Sequence, residues 1–449
     1  MTAPRLLVVS FAAAILAGAC LLFPARLWSG DDTAHAFVDA LFTAASAICV
    51  TGLAVRDIGS EFSGFGQVVI LVLIQIGGIG ILTFSNFMLY LQTGRMTPRQ
   101  RQLVHDSLGA LPTISAPKLL MRVIGYAVAI ETVGAVVLTL RFLPNHSFPR
   151  ALWLGVFHSV SAFCNAGLGL FSDSMQAYRA DVVVNVVIMI LIVLGGLGFL
   201  VLTDLGHWIA SVIRGVRHRL LYHTRVVLGT TALLIVIGAV GILLLESNGA
   251  ASNGPLMQRV LDSLFLSVTA RTAGFNTVPI GLLTNGTLIV VILLMAVGGS
   301  PGSTAGGIKT TTLATMFALV SSRLRNRARV ELRKRTIPEE TVSIAVVTLT
   351  AFLIVVTVAT LALQVTELSG AQRFEHRGRF LEHVFEVVSA LCTVGLSTGV
   401  TPQLSVAGKL VIIGCMFMGR LGPLMIANAL IGARRSADIS YPEDNLNIG

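Results

Sequence analysis

Charge is the first thing this chain lacks. Asp, Glu, Lys and Arg make up only 12% of its 449 residues, about half the roughly 25% of a soluble globular protein. Too few polar side chains remain to cover a core in water, which excludes a water-soluble enzyme and equally a disordered chain. Cysteine is scarce too. Cys20, Cys49, Cys164, Cys392 and Cys415 all lie in apolar context, so no disulfide framework is implied. No His/Asp/Cys constellation recurs at helix positions, so an intramembrane enzyme would lack both nucleophile and metal cluster. A nucleotide-binding motif is also missing. Gly302 and Gly307 followed by Lys309 imitate a phosphate loop, but the lysine falls one place late and no strand precedes it.

What the chain has instead is apolar residues: 54% of the total, with a mean hydropathy of +0.82. That composition points to a polytopic membrane protein. Eight runs are long enough to cross about 30 Å of hydrocarbon. They are 6–23, 66–91, 120–142, 182–203, 225–247, 287–320, 341–364 and 407–431. Between the members of each pair lies a shorter apolar stretch, near 36–49, 151–164, 257–271 and 380–392, of a length that suits a re-entrant half-helix. Gly298-Gly299-Ser300-Pro301-Gly302 interrupts the run at 287–320, so that run is not one regular helix. The first run carries Ala17-Gly18-Ala19-Cys20, a faint likeness to a lipoprotein cleavage site. Ala17 stands where leucine is usual, and the run fills the first slot of a repeat, so a retained helix is expected.

The net charge of +10 does not signal nucleic acid, because the basic residues lie between apolar segments. Loops joining one pair to the next hold Arg95, Arg99, Arg101 and Lys118, then Arg214, Arg217 and Arg219, then Arg323, Arg325, Arg327, Arg329, Arg333, Lys334 and Arg335. Loops within pairs are more acidic, with Asp31, Asp32, Asp39, Asp57, Glu61, Glu375 and Glu382. The expectation is a multi-pass protein of the cell membrane, its termini and basic loops cytoplasmic. The short stretches then enter from outside.

The end of each short stretch repeats. Ser46-Ala47-Ile48-Cys49-Val50-Thr51-Gly52-Leu53 returns as Ser161-Ala162-Phe163-Cys164-Asn165-Ala166-Gly167-Leu168. It returns again as Val268-Thr269-Ala270-Arg271-Thr272-Ala273-Gly274-Phe275 and as Ser389-Ala390-Leu391-Cys392-Thr393-Val394-Gly395-Leu396. A second glycine cluster follows in each next long run, at Gly77-Gly78, Gly195-Gly196, Gly298-Gly299 and Gly419. Each unit therefore reads as helix, half-helix, glycine turn, helix. The expected fold is an all-α integral membrane protein of four pseudo-fourfold repeats, with eight spanning helices around a central pore. The repeats cover 1–92, 93–210, 211–330 and 331–433, followed by a cytoplasmic tail over 434–449.

Irregular backbone at membrane depth is tolerated where protein buries it or where it lines an aqueous path. Glycine permits positive φ and close approach of main chain to an ion. Four such turns around one axis offer rings of carbonyl oxygens that replace the hydration shell of a monovalent cation. A half-helix whose C-terminus points inward favours a cation as well. Close helix packing is the competing explanation. It suffices for the second cluster (Gly77, Gly78, Gly195 and Gly196), but not for four glycines in one register that each close a non-spanning stretch.

This layout resembles the superfamily of potassium transporters that includes bacterial Trk and Ktr subunits and plant HKT proteins. The resemblance covers essentially the whole chain. The channel turn Thr-Val-Gly-Tyr-Gly survives in that family as its first three positions. They are matched here by Val50-Thr51-Gly52, Asn165-Ala166-Gly167, Thr272-Ala273-Gly274 and Thr393-Val394-Gly395. TrkH-type members carry two extra N-terminal spans, and this chain starts just before its first repeat, so it is most similar to the Ktr membrane subunits. Some plant relatives with serine for the first glycine prefer sodium. Gly52 is a glycine, so the resemblance implies potassium selectivity at the filter carbonyls, with fewer ordered ion sites than a channel. Potassium is then the transported ion, sodium a candidate coupling or activating ion, and no cofactor is expected in this chain.

The same resemblance implies a gate where the third repeat departs from the others. That loop is Gly298-Gly299-Ser300-Pro301-Gly302-Ser303-Thr304-Ala305-Gly306-Gly307-Ile308-Lys309. Small flexible residues below a filter suit that task. Arg420, mid-helix in Gly419-Arg420-Leu421-Gly422-Pro423, costs roughly 2.5–3.5 kcal/mol to insert and is by default functional. Below the filter it raises the barrier to cations; at a surface it would snorkel. Asp39, Asp262, Glu382 and Glu386 either concentrate cations at the outer mouth or compensate helix N-termini. His158 and His383 read as packed or hydrogen-bonded rather than as metal ligands. Arg271 stands where the other repeats have cysteine, with a structural ion pair behind the filter as the available account. The run Arg323-Leu324-Arg325-Asn326-Arg327-Ala328-Arg329 obeys the positive-inside rule and can also meet anionic membrane lipids. Ktr membrane subunits work as homodimers on a cytoplasmic nucleotide-binding ring (KtrA/KtrC-like) that gates them, and the tail from Arg434 to Gly449 is a candidate dimer contact. The rival function is an alternating-access carrier for a small solute, which would show two inverted halves rather than four repeats of one direction.

Overall fold

The computed structural model describes residues 3–27, 33–93, 116–216, 219–247, 249, 254–367 and 379–422. Arg95, Arg99, Arg101, Arg217, Asp31, Asp32, Glu375 and the tail at 434–449 lie outside the described residues. The described residues are mostly helical. In order, the helices longer than one turn are α1 (Ala3–Leu22), α2 (Thr33–Ile48), α3 (Gly64–Thr93), α4 (Ala116–Phe142), α5 (Phe148–Phe163), α6 (Val182–Leu197) and α7 (Phe199–Ile213). Then come α8 (Tyr222–Leu245), α9 (Leu256–Thr269), α10 (Asn285–Ala296), α11 (Thr310–Leu324), α12 (Glu339–Glu367), α13 (Phe380–Leu391) and α14 (Val406–Leu421). A small antiparallel pair, β1 (Glu331–Leu332) with β2 (Arg335–Thr336), lies between α11 and α12.

Local chemistry starts several of these helices. Asp181, Thr284 and Ser405 sit at N-caps and accept hydrogen bonds from the free amides of the first turn. Among the described residues three helices are long and apolar enough to cross a membrane, and the bent pair α6–α7 would make a fourth. α12 shows why the long helices belong in lipid. Leu353, Ile354, Val358, Leu361 and Val365 are all exposed, an outward face that water would penalise and hydrocarbon accepts.

The half-helices α2, α5, α9 and α13 are different. Their last turns are buried almost completely. Each packs against the second long helix of the preceding unit: α5 against α3, α9 against α6, α13 against α10, and α2 against α14. The last contact joins the end of the chain to its beginning, so the four units close a circle. The second glycine cluster makes the packing within three of the units tight as well. A Cβ on Gly77, Gly195 or Gly419 would collide with the carbonyl of Ile48, Phe163 or Leu391, at the foot of the half-helix of its own unit.

One element departs from expectation. The run at 182–203 reads as a continuous span, yet the chain turns by 108° between α6 and α7. Gly198 makes the turn at φ 85°. The Phe199 amide freed by the break donates to Gly302 O at 3.1 Å. The second long helix is therefore broken in two units, not only in the one where 287–320 splits into α10 and α11.

Candidate functional site

The four glycine turns have one conformation. Val50, Asn165, Thr272 and Thr393 leave the half-helices at φ 55°, 60°, 69° and 51°. Gly52, Gly167, Gly274 and Gly395 follow at 100°, 65°, 81° and 92°. A left-handed non-glycine residue costs about 1–2 kcal/mol, so neighbouring bonds must hold it. The amide of the residue between (Thr51, Ala166, Ala273, Val394) donates to the carbonyl of Ser46, Ser161, Thr269 or Ser389, at 2.7–2.9 Å. The hydroxyls of Ser161, Thr269 and Ser389 donate to the carbonyls of Leu168, Phe275 and Leu396, just past each turn, at 2.6 Å. Ser46 and Ser389 also accept from the Gly52 and Gly395 amides at 3.1 Å. These hydroxyls were legible as a serine in the same register of three repeats, but their role as staples was not read.

The turns meet each other. A Cβ on Gly52 would stand 2.6 Å from Ala166 O, one on Gly167 2.5 Å from Ala273 O, and one on Gly274 2.6 Å from Val394 O. A Cβ on Gly395 would meet Thr51 O, and the ring is closed. Only glycine fits at each junction. A donor set of backbone carbonyls without carboxylates suits a weakly held monovalent cation rather than a divalent one.

Three acids on the half-helices, Asp39, Asp262 and Glu386, are buried in protein. Asp39 is 1% exposed and pairs with Lys409 at 2.6 Å and Arg56 at 2.7 Å. Asp262 pairs with Arg179 at 2.7 Å. Glu386 accepts from Ser397, from the Thr398 amide and from Thr401. These three tie the loops beyond the first, second and fourth glycine turns to the half-helices, whereas Glu382 lies in the first turn of α13, where an acid compensates the helix N-terminus. His158 does the same in the second unit. The Leu170 amide donates to Nε2, so Nδ1 carries the proton bonded to Leu154 O. His383 bonds Gln364. Glu131 is a buried acid that sequence reading passed over, and the Gln75 amide donates to both of its oxygens. In the loop after the first glycine turn, burial pushes the Asp57 carboxyl up, but bonds from Ser172, Ser60 and the Gly59 amide outweigh this and hold it below the usual range.

Beneath the ring lies the loop between α10 and α11. Gly298 N donates to Ile308 O at 3.0 Å and Ile308 N to Ala296 O at 3.1 Å, forming a neck. Ser300 N and Thr304 N donate to Gly196 O and Gly195 O at 2.9 and 3.3 Å. Lys309 Nζ donates to Ala305 O at 2.8 Å. Ser300, Ser303, Thr304, Ala305 and Gly306 are buried, Pro301 and Gly307 are half-buried, and Gly302 is exposed. Gly306 lies so close under the fourth turn that a Cβ there would strike Thr393 Oγ1. Arg420 is 8% exposed, and its guanidinium donates to Thr304 O and Gly77 O. It is thus held inside protein and does not snorkel. Arg271 makes no ion pair among the described residues. Its Nη2 donates to Gly298 O at 3.1 Å, in place of the structural ion pair expected.

Residues 20–433 match the family model for TrkH, a cation transport protein. The chain belongs to this family. This TrkH-family protein is a membrane transporter, not an enzyme. It is 37% identical to the Ktr system potassium uptake protein B of Vibrio alginolyticus, over 99% of this chain and 95% of that one. Identity to the Ktr system potassium uptake protein B of Bacillus subtilis is 36%, over 100% and 97%. The potassium/sodium uptake protein NtpJ of Enterococcus hirae is 35% identical, over 99% and 97%. The crystal structure of the potassium transporter TrkH from Vibrio parahaemolyticus shares the fold, with a TM-score of 0.70 and 19% identity over 96% of this chain and 84% of that one.

Proposed function

We propose that the chain takes up potassium through the ring of four glycine turns. The single observation that carries this reading is the closed circuit in which each filter glycine abuts a carbonyl of another unit. Carbonyls of Val50, Thr51, Gly52 and their counterparts in the other units replace water around the ion. The loop 298–309 obstructs the path below, and Arg420 adds a positive charge that raises the barrier to cations. Eight spanning helices surround the axis, grouped in repeats 1–92, 93–210, 211–330 and 331–433, with termini and basic loops cytoplasmic. The working unit is a homodimer on a cytoplasmic nucleotide-binding ring. The names of the Vibrio and Bacillus relatives, potassium uptake proteins of Ktr systems, support potassium as the ion and a multi-component system. The Enterococcus relative is named for sodium as well, so sodium belongs in the test.

That test is rubidium or potassium uptake, with sodium competition, into liposomes holding the purified chain. Saturable uptake that favours potassium over sodium and falls with Gly274→Ser is the expected result. No cation flux, even with a cytoplasmic nucleotide-binding partner added, would overturn the pore and favour an alternating carrier.

A further inference from the structure

Arg271 interrupts the fourfold pattern. The residue before the filter turn is Cys49, Cys164 or Cys392 in the other units and arginine in the third, the unit whose second long helix opens into the loop. The loop hangs between two buried guanidiniums: Arg271 grips its first residue at Gly298 O, and Arg420 grips its middle at Thr304 O. Arg271 Nε has no partner among the described residues. The arginine lines a small cavity with Gly196, Thr231, Ile235 and Gly299. Thr231 Oγ1, on α8, is also buried and unpartnered. A guanidinium can only donate and a hydroxyl can accept. The cavity therefore offers Arg271 a second acceptor, on α8 rather than on the loop.

We propose that Arg271 is a positioning residue of the gate. Bonded to Gly298 it holds the loop beneath the filter, and as the loop withdraws, the room left by Gly299 lets its guanidinium turn across the cavity and bond Thr231. This rests on reading 298–309 as a gate. Two independent readouts test it on the full chain in lipid: amide hydrogen exchange over 297–310, and rubidium uptake. Arg271→Cys installs the residue that three sister units carry at this position. It should speed exchange over 297–310 by about ten- to a hundredfold, the loss of one buried bond from a charged donor. It should leave α1 and α5 protected and raise uptake at an unchanged potassium-to-sodium ratio. Arg271→Lys should restore part of the protection. Thr231→Val should leave loop exchange as it is, because the closed state does not use that hydroxyl, and lower uptake by about threefold or more. Unchanged loop exchange in folded Arg271→Cys, or faster exchange spread over every helix, would overturn the proposal. If Arg271→Cys does not fold, wild-type behaviour of both Arg271→Lys and Thr231→Val would overturn it. A loosened loop with no rubidium flux in any protein, wild type included, would uphold the clamp and sink the potassium reading instead.

Discussion

A methyl group is enough to test the ring. At Gly395 the backbone sits at φ 92°, and an added Cβ would strike Thr51 O and stand 2.7 Å from Gly52 Cα. The left-handed strain alone is about 1–2 kcal/mol, and the neighbours that must yield are backbone, not flexible side chains. Gly395→Ala should abolish rubidium uptake. Gly414→Ala on α14, where nothing lies within 4 Å of the added carbon, should transport like wild type. Gly52→Ser is the subtler change. Its Cβ would push on Ala166 O from 2.6 Å, widening or tilting the carbonyl ring, and sodium should then be admitted. The ratio of potassium to sodium uptake measures this, and an unaltered ratio would count against a filter role for Gly52.

At the scale of elements, the half-helices and the loop are held by polar ties rather than by hydrophobic burial alone. Asp39 on α2 takes Lys409 of α14, the contact that joins the last unit to the first. Removing one partner of a buried pair costs about 3–5 kcal/mol, because the other charge stays behind. Asp39→Asn should lower the thermal midpoint in detergent markedly. A midpoint equal to wild type would make that closure dispensable. Arg420 links α14 to the loop and to α3 at once. Arg420→Ala cuts both bonds without touching the ring, so flux should change while size-exclusion behaviour stays that of a folded protein. Unaltered flux would reduce Arg420 to a packing residue.

For the whole molecule, the proposed nucleotide regulation would act through a bound partner. No nucleotide-binding motif is present in the sequence, while the inter-pair segments carry the basic residues that suit a cytoplasmic face. Nucleotide should therefore leave uptake by the isolated chain unchanged and should alter it once a cytoplasmic nucleotide-binding ring subunit is bound. Uptake assays with and without that subunit measure the difference. A response of the isolated chain would place a nucleotide site in these 449 residues.

Composition and period settled much of this at the outset. Low charge and long apolar runs determined the membrane class, since hydropathy is a property of each residue alone. The recurrence of a glycine after each short stretch located the turns, since positive φ is a local demand that glycine meets. Gly298 to Gly302 declared their break in the same way, through residues that no regular helix keeps. Tertiary structure decided the rest. Asp39 and Lys409 are far apart in sequence, and no pattern in either neighbourhood says that they meet. The turn at Gly198 was hidden because 182–203 holds no charge and no proline to interrupt an apolar run. Its cause is a carbonyl of another unit, Gly302 O, that takes the freed Phe199 amide. The partners of Arg271 and Arg420 are likewise backbone oxygens, and a carbonyl looks the same at every position of a sequence. Which of them comes within reach of a given guanidinium is fixed only when four distant turns close into one ring.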